Sequence, residues 1–262
     1  MNQSSGNPSR TPSPLIAQRE LAVTSADKLP EVVAKSVGLH PLIYRKRIEH
    51  ADPAAKPGDL VTVYDTNDNH SGYGFYNPRA ELALRMVSHG PLPDEAFWDA
   101  KLQAAVSLRK EILNLDEVTN AYRVIHAEAD GFPGLMVDKL GDVLSAEAFS
   151  LGMYQRADAI LRRLAPMLGT KHTILRSGPA SLAQEGFDGP RQASEGAPSR
   201  ITVEEFGTRF RVDFAEGHKT GFFCDQRDNR KMLASFCKGK TVLDLCCYTG
   251  GFAIQAKKLG QA

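Results

Sequence analysis

The chain has 262 residues, of which 42% are hydrophobic and 24% charged, a balance that fits a globular protein of about two domains and excludes a disordered or fibrous one. Its 32 Lys plus Arg stand against 31 Asp plus Glu, a net charge of +1, so no global field favours nucleic acid and such a contact needs a local patch. The four cysteines at 224, 237, 246 and 247 lack a Cys-x-x-Cys spacing, which argues against zinc, and no run approaches the roughly 18 apolar residues of a membrane span. No secretory h-region opens the chain, and a reduced, cytoplasmic protein is the expectation.

Residues 1–19 are rich in Ser, Pro and Asn with few large apolar groups, and are expected to form a mobile tail without a core to join. From 20 to about 90 the pattern predicts short strands: Leu60 to Tyr64 after the turn Lys56-Pro57-Gly58-Asp59, Ser71 to Tyr76 after a second polar turn, and Leu82 to Val87 closing the sheet. The run 94–113 predicts a helix with Phe97, the Lys101 stem, Ala105, Leu108 and Ile112 on its buried stripe, and Asp94 and Glu95 at its N-terminal end.

Strands are predicted at Tyr122–His126 and Val143–Phe149, with a short apolar run Leu135–Val137 between them, followed by a helix over 153–167 burying Met153, Ile160, Leu164 and Met167. Residues 177–199 abound in Gly, Pro, Ser and Ala and predict a long, exposed, flexible loop. Strands Ile201–Phe206 and Thr208–Phe214 meet at Gly207. A helix capped by Asp225 then buries Met232, Leu233 and Phe236.

The segment from Lys240 to Ile254 carries the chemistry: a short apolar strand ends at Asp244, a glycine-containing loop follows, and a helix turns Phe252, Ala256 and Leu259 inward. Glycines let a ligand approach the backbone, a helix N-terminus offers free N–H groups, and Asp244 suits a cationic amine. An ammonium joined to adenosine meets those needs, whereas no GxGxxG or GxxxxGK[ST] points to phosphate. An ordinary buried strand and turn remains the alternative at this level. Asp225-Gln226-Arg227 reads locally as a cap with solvated neighbours. Arg45-Lys46-Arg47, with Lys35 and His40 nearby in sequence, reads either as a phosphate-binding cluster or as a solvated face, and Arg156, Arg162 and Arg163 form a weaker basic candidate. His126, Glu128 and Asp130 read as a turn rather than metal ligands.

Gly217 to Arg230, followed by Asp244-Leu245-Cys246-Cys247-Tyr248-Thr249-Gly250-Gly251-Phe252, resembles the class I S-adenosylmethionine-dependent large-subunit rRNA cytosine-5 methyltransferases that carry an N-terminal PUA domain. Tyr122-Arg123, Glu128 to Leu135 and Asp138 resemble the same family's central domain, and Gly38-Leu39-His40-Pro41 with Gly58-Asp59 resemble its PUA portion. The resemblance implies an α/β protein: a PUA-like RNA-binding β-barrel at 20–92, a central α+β domain at 93–214, and the first strand-loop-helix of a Rossmann-like methyltransferase domain at 215–262. It implies S-adenosylmethionine as cofactor, held by Asp244, Cys246, Tyr248, Thr249, Gly250 and Gly251, with Gln226, Arg227, Lys219 and Thr220 beside it and His218 shaping the wall. It assigns RNA contact to Arg45, Lys46, Arg47 and His40, names 23S rRNA as partner, and is compatible with a homodimer; neither a membrane nor a metal is implied.

Two departures stand out. Leu42 follows Pro41 where the family carries an aromatic residue, and the sequence ends before the family's second-strand acidic residue, its Asp-Pro-Pro motif and its nucleophilic cysteine. Cys246 and Cys247 lie inside the cofactor loop and read as small thiols rather than nucleophiles. The expectation is therefore a C-terminally truncated rRNA methyltransferase with little cofactor affinity and no turnover of its own. The alternatives are a non-catalytic RNA-binding remnant and a methyltransferase of the same superfamily with another substrate, protein included.

Overall fold

The computed structural model describes residues 14–214 and 221–262. The first unit is one six-stranded sheet made of β1 (Glu31–Ala34), β2 (Leu42–Ile43), β3 (Ile48–Ala51), β4 (Asp59–Asp65), β5 (His70–Tyr76) and β6 (Leu84–Ser88). Its strands run in the order β2-β6-β5-β4-β1-β3, antiparallel except for β1 beside β4. One face gathers Val32, Ile43, Val61, Val63, Leu84 and Met86 into a core of its own.

The other face supplies Leu60, Phe75 and Val87 to the main core, where they join Trp98, Phe132, Leu144, Tyr154 and Phe187. That core forms against α1 (Glu95–Ser107) and a mixed five-stranded sheet. The sheet runs β11-β10-β9-β8-β7, from β7 (Ala121–His126), β8 (Leu135–Leu140), β9 (Val143–Ala148), β10 (His172–Ser177) and β11 (Gln192–Ala193). Its one parallel pair, β9 with β10, is joined through α2 (Leu151–Tyr154) and α3 (Ala157–Leu168), the crossover that a parallel pair requires.

Helix α1 forms where the sequence predicts it, capped by the Asp94 carboxylate accepting from Phe97 N at 2.9 Å. Its buried stripe is a neighbouring one: Trp98, Leu102, Ala105, Val106 and Arg109 face the core, while Ile112 is 70% exposed. A π turn at Leu108–Ile112 ends the helix, and Arg109 forks onto Asp130 at 2.6 and 2.8 Å. Asp130 also accepts from His126 N at 2.6 Å, so this carboxylate closes a turn.

Segment 177–199, expected as an exposed loop, is built into the core. It carries α4 (Ser181–Glu185) and β11, and it buries Phe187 to 2% exposure against the Tyr154 ring. Residues 14–19 of the expected tail also dock: Ile16 is buried, the Gln155 amide donates to Leu15 O at 2.6 Å, and Arg19 pairs with Asp59. Residues 1–13 lie outside the described residues.

The seam between the first sheet and the central unit closes around Phe75. Gly152 presses on the Phe75 ring, the Arg156 guanidinium lies 4.3 Å from its centroid, and Arg156 Nη1 donates to Gly58 O at 2.9 Å and Gly152 O at 3.0 Å. Burial pushes the Arg156 pKa down to about 9, with Arg19 adding to the effect, so the group stays charged at neutral pH. Arg156 is thus a structural cation and is withdrawn as an RNA candidate. Arg163 pairs with Glu95 and Asp99, and Arg162 with Asp158.

Strands β12 (Arg200–Glu205) and β13 (Thr208–Asp213) form the expected hairpin. Phe206 and Gly207 both have positive φ, 49° and 72°, the two-residue turn that matches strand twist. Two helices, α5 (Arg227–Ser235) and α6 (Gly251–Lys258), lie over this hairpin. No helix among the described residues is long and apolar enough to cross a membrane.

Candidate functional site

Helix α5 docks by a charge. Arg230, 4% exposed at its side chain, donates through Nε and Nη2 to the buried Glu205 carboxylate at 2.8 and 2.5 Å, and its Nη2 also reaches Phe223 O at 3.1 Å. Helix α6 joins the same residue through Gln255, whose amide donates to the Glu205 carboxylate at 3.3 Å and to the Glu205 backbone carbonyl at 3.1 Å and accepts from Thr208 Oγ1 at 2.9 Å. The N-terminus of α6 then sits against α5, because Gly251 has no side chain where the Arg230 stem passes.

This docking inverts the expected face of α5. Arg230 and Ala234 are buried on α5, while Met232 and Phe236 are 64% and 67% exposed. On α6 Ala256 is buried as expected, together with Gly251 and Gln255, Phe252 is partly buried, and Leu259 faces outward. Asp225 does not cap α5: it lies in a 3-10 turn, Cys224–Gln226, and Gln226 holds the cap position without a side-chain bond.

The short strand expected to end at Asp244 forms no ladder, and Leu243 is 80% exposed. A parallel strand exists only through a neighbour's hydrogen bonds, and among the described residues none lies alongside. The loop that follows is sharply folded. Cys246 and Tyr248 take positive φ of 61° and 51°, and Gly250, at φ 70°, caps α6. The Asp244 carboxylate reaches over this turn to accept from Ala253 N at 3.2 Å, satisfying one free N–H of the helix start. Tyr248 meets Phe223 edge-on with ring centroids 5.0 Å apart.

The loop Asp244 to Gly251 and the turn carrying Gln226 and Arg227 are therefore neighbours, joined through the Phe223–Tyr248 ring pair. Within that turn Gln226 accepts from Asn229 at 3.0 Å and Arg227 pairs with Asp228 at 2.8 Å. Cys246, Cys247 and Thr249 are exposed. Lys219, Thr220 and His218 lie outside the described residues. Cys224 is fully enclosed beneath the turn, beside the Arg123–Asp138 pair, and burial with the Asp138 charge pushes its thiol pKa well up, which makes it an unreactive packing group.

The basic candidates lie at the far end of the chain's first sheet. Arg45, Lys46 and Arg47 form one 3-10 turn, and Arg45 pairs with Glu81 at 3.2 Å across an exposed surface. His40 and Arg47 line a cleft of about 440 Å³ together with Tyr44. Tyr44 is a residue that the sequence reading missed: its ring is half exposed, with Lys46 Nζ 5.9 Å from the centroid. The signal lay in its position directly before the basic triplet.

Comparisons with known proteins bear on both ends. Residues 30–89 match a PUA-like domain family. The chain is 32% identical over 253 residues to the ribosomal RNA large subunit methyltransferase of Deinococcus radiodurans, covering 90% of this chain and 62% of that one. It is 33% identical over 224 residues to ribosomal RNA large subunit methyltransferase I of Vibrio cholerae, covering 84% and 56%. The chain thus spans about three-fifths of the length of these curated relatives. A solved structure from Streptococcus mutans described as a SAM-dependent methyltransferase superposes with a TM-score of 0.68 at 20% identity, over 88% of this chain and 60% of that one. A second, a methyltransferase complex with SAH, gives 0.65 at 21% identity; at such identities the likeness concerns the fold. With a PUA-like domain at residues 30–89 and this similarity over most of its length, the chain is homologous to the ribosomal RNA large subunit methyltransferases.

Proposed function

We propose that this protein is the PUA-containing part of an S-adenosylmethionine-dependent methyltransferase acting on large-subunit ribosomal RNA in the cytoplasm, with C5 of a cytosine in 23S rRNA as the methyl acceptor. The observation that carries the reading is the 32–33% identity extending over 84–90% of the chain to proteins named for that activity. The cofactor would supply an electrophilic methyl group on its sulfonium. Asp244, Tyr248, Thr249, Gly250 and Gly251 fit such a group, because a carboxylate beside a helix start suits an ammonium and a turn of left-handed residues exposes its backbone. Cys246, Gln226 and Arg227 would line the same loop, with Lys219 and Thr220 shortly before Gln226 in sequence.

In this reading the chain binds RNA through His40, Tyr44, Arg45, Lys46 and Arg47, the exposed ring offering a base platform and the cations offering phosphate contacts. Methyl transfer from labelled cofactor to rRNA of a strain lacking the gene, using the longest reading frame containing this segment, is the test. Label in 5-methylcytosine of the large-subunit RNA is expected, and label confined to protein overturns the substrate assignment.

A second reading, RNA binding without catalysis by the 262-residue chain, is favoured by the loop's openness: Leu243, Leu245 and Cys246 to Thr249 face solvent and Asp244 is engaged by Ala253 N. It predicts S-adenosylmethionine affinity weaker than micromolar in a calorimetric titration; micromolar binding would sink it.

A further inference from the structure

Between the first sheet and the central unit lies a second cleft of about 430 Å³, on the other side of the basic turn, lined by Arg45, Arg79, Glu81, Arg85 and, from α4, Gln184 and Glu185. We infer that this cleft is a phosphate site for RNA, so that one strand crosses the Tyr44–Arg47 turn and continues onto α4 of the central unit. The inference rests on the RNA reading above and extends the surface beyond the PUA-like domain.

Charge bookkeeping within the cleft favours an anion. Glu185 is 1% exposed and its carboxylate is fully engaged: Oε1 accepts from Arg85 at 2.7 Å, and Oε2 accepts from Asn77 at 3.0 Å and Leu151 N at 3.3 Å. Its charge is neutralised inside the wall. Glu81 is engaged by Arg45, but that pair is more than half exposed on both sides, so the contact is weak and Arg45 can exchange it for a phosphate at little cost. Arg79 is exposed and has no ion-pair partner among the described residues. It is nonetheless held in place, because its stem packs on Gly186, the φ 73° residue that ends α4. A presented, pre-ordered guanidinium at the mouth of a cleft is the group that recognises a phosphodiester by paired hydrogen bonds.

The geometry also explains why 177–199 folds inward. Asn77, at the turn after β5, donates to Glu185 O at 2.9 Å as well as to its carboxylate, so the N-terminal unit clamps α4 and brings Gln184 beside Arg79. Arg45 is shared by this cleft and the turn that borders the His40–Tyr44 cleft. The two clefts therefore flank one cationic turn.

The test is fluorescence anisotropy of a labelled single-stranded RNA of about 20 nucleotides, titrated with the full 262-residue chain at several salt concentrations. Arg79→Gln, which keeps the packed stem, should weaken binding roughly threefold to tenfold and lower the salt slope by about 0.7, the loss of one phosphate contact. Gln184→Glu, on the central unit, should weaken binding comparably. Arg209→Glu, at another exposed arginine on β13, should change nothing, and thermal melts should be superimposable. Wild-type binding by both cleft variants, while reversal of Arg45, Lys46 and Arg47 abolishes it, overturns the extended site and leaves the RNA reading standing. No response to any of them, the 45–47 reversal included, removes the RNA reading together with the site.

Discussion

The two junctions of this chain are built on opposite plans. At the seam between the first sheet and the central unit, one core runs through both partners, and the buried Arg156 is cushioned by Phe75 and hydrogen-bonded to backbone carbonyls. At the hairpin, α5 and α6 meet at one buried residue, Glu205, whose carboxylate engages Arg230 and Gln255, while much of their apolar surface looks away. The first junction spreads its stability over many side chains. The second concentrates it in one ion pair, and removing one member of such a pair leaves an uncompensated charge in a dry site.

The largest effect should therefore come from Glu205→Ala, which orphans Arg230 and removes the carboxylate contact of Gln255. A loss of about 3–5 kcal/mol is expected for the attachment of α5 and α6. Hydrogen exchange should show protection vanishing over residues 227–258 while β8, β9 and α3 keep theirs. Uniform loss of protection over the whole chain would mean that the two junctions are coupled, and would break the comparison.

At the seam the test is a glycine. Replacing a helical glycine by alanine ordinarily stabilises a helix by about 0.5–1 kcal/mol. A Cβ on Gly152 would instead stand 2.6 Å from Phe75 Cγ, closer than packed atoms tolerate. Gly152→Ala should destabilise by roughly 1–3 kcal/mol, read as a lower midpoint in urea with an unchanged slope. A stabilised variant would show that the seam yields rather than interlocks.

Much of the fold was legible because strands β4 to β7, β9 and the β12–β13 hairpin are marked by alternation and turn residues, signals confined to a few neighbours. What was not legible depends on partners distant in sequence. Gln184 and Glu185 sit in a stretch that reads as loop, and α4 is fixed by Asn77 and Arg85, 108 and 100 residues from Glu185. On α1 two adjacent stripes have helical spacing, and the Trp98–Phe132 contact and the Arg109–Asp130 fork decide between them. Apolar periodicity likewise misassigned α5, since the residue that docks it is an arginine. The loop at Asp244 was found through its residue types. Tyr44 was not legible as a partner of the basic triplet because the resemblance puts an aromatic residue directly after Pro41, where Leu42 stands.

The smallest expected effect concerns the outward face of α5. Met232 and Phe236 touch little, so Met232→Lys with Phe236→Lys should shift the chain's thermal midpoint by no more than the equivalent of about 0.5 kcal/mol, the range of ordinary surface changes. A contiguous exposed apolar face nevertheless favours association between chains, and two added cations oppose it. Sedimentation at rising concentration should therefore show the double variant staying dispersed where the parent self-associates. If instead the substitutions lowered the midpoint by several degrees, Met232 and Phe236 would be buried in solution, and the contrast between a shared core at one junction and a single ionic anchor at the other would fail.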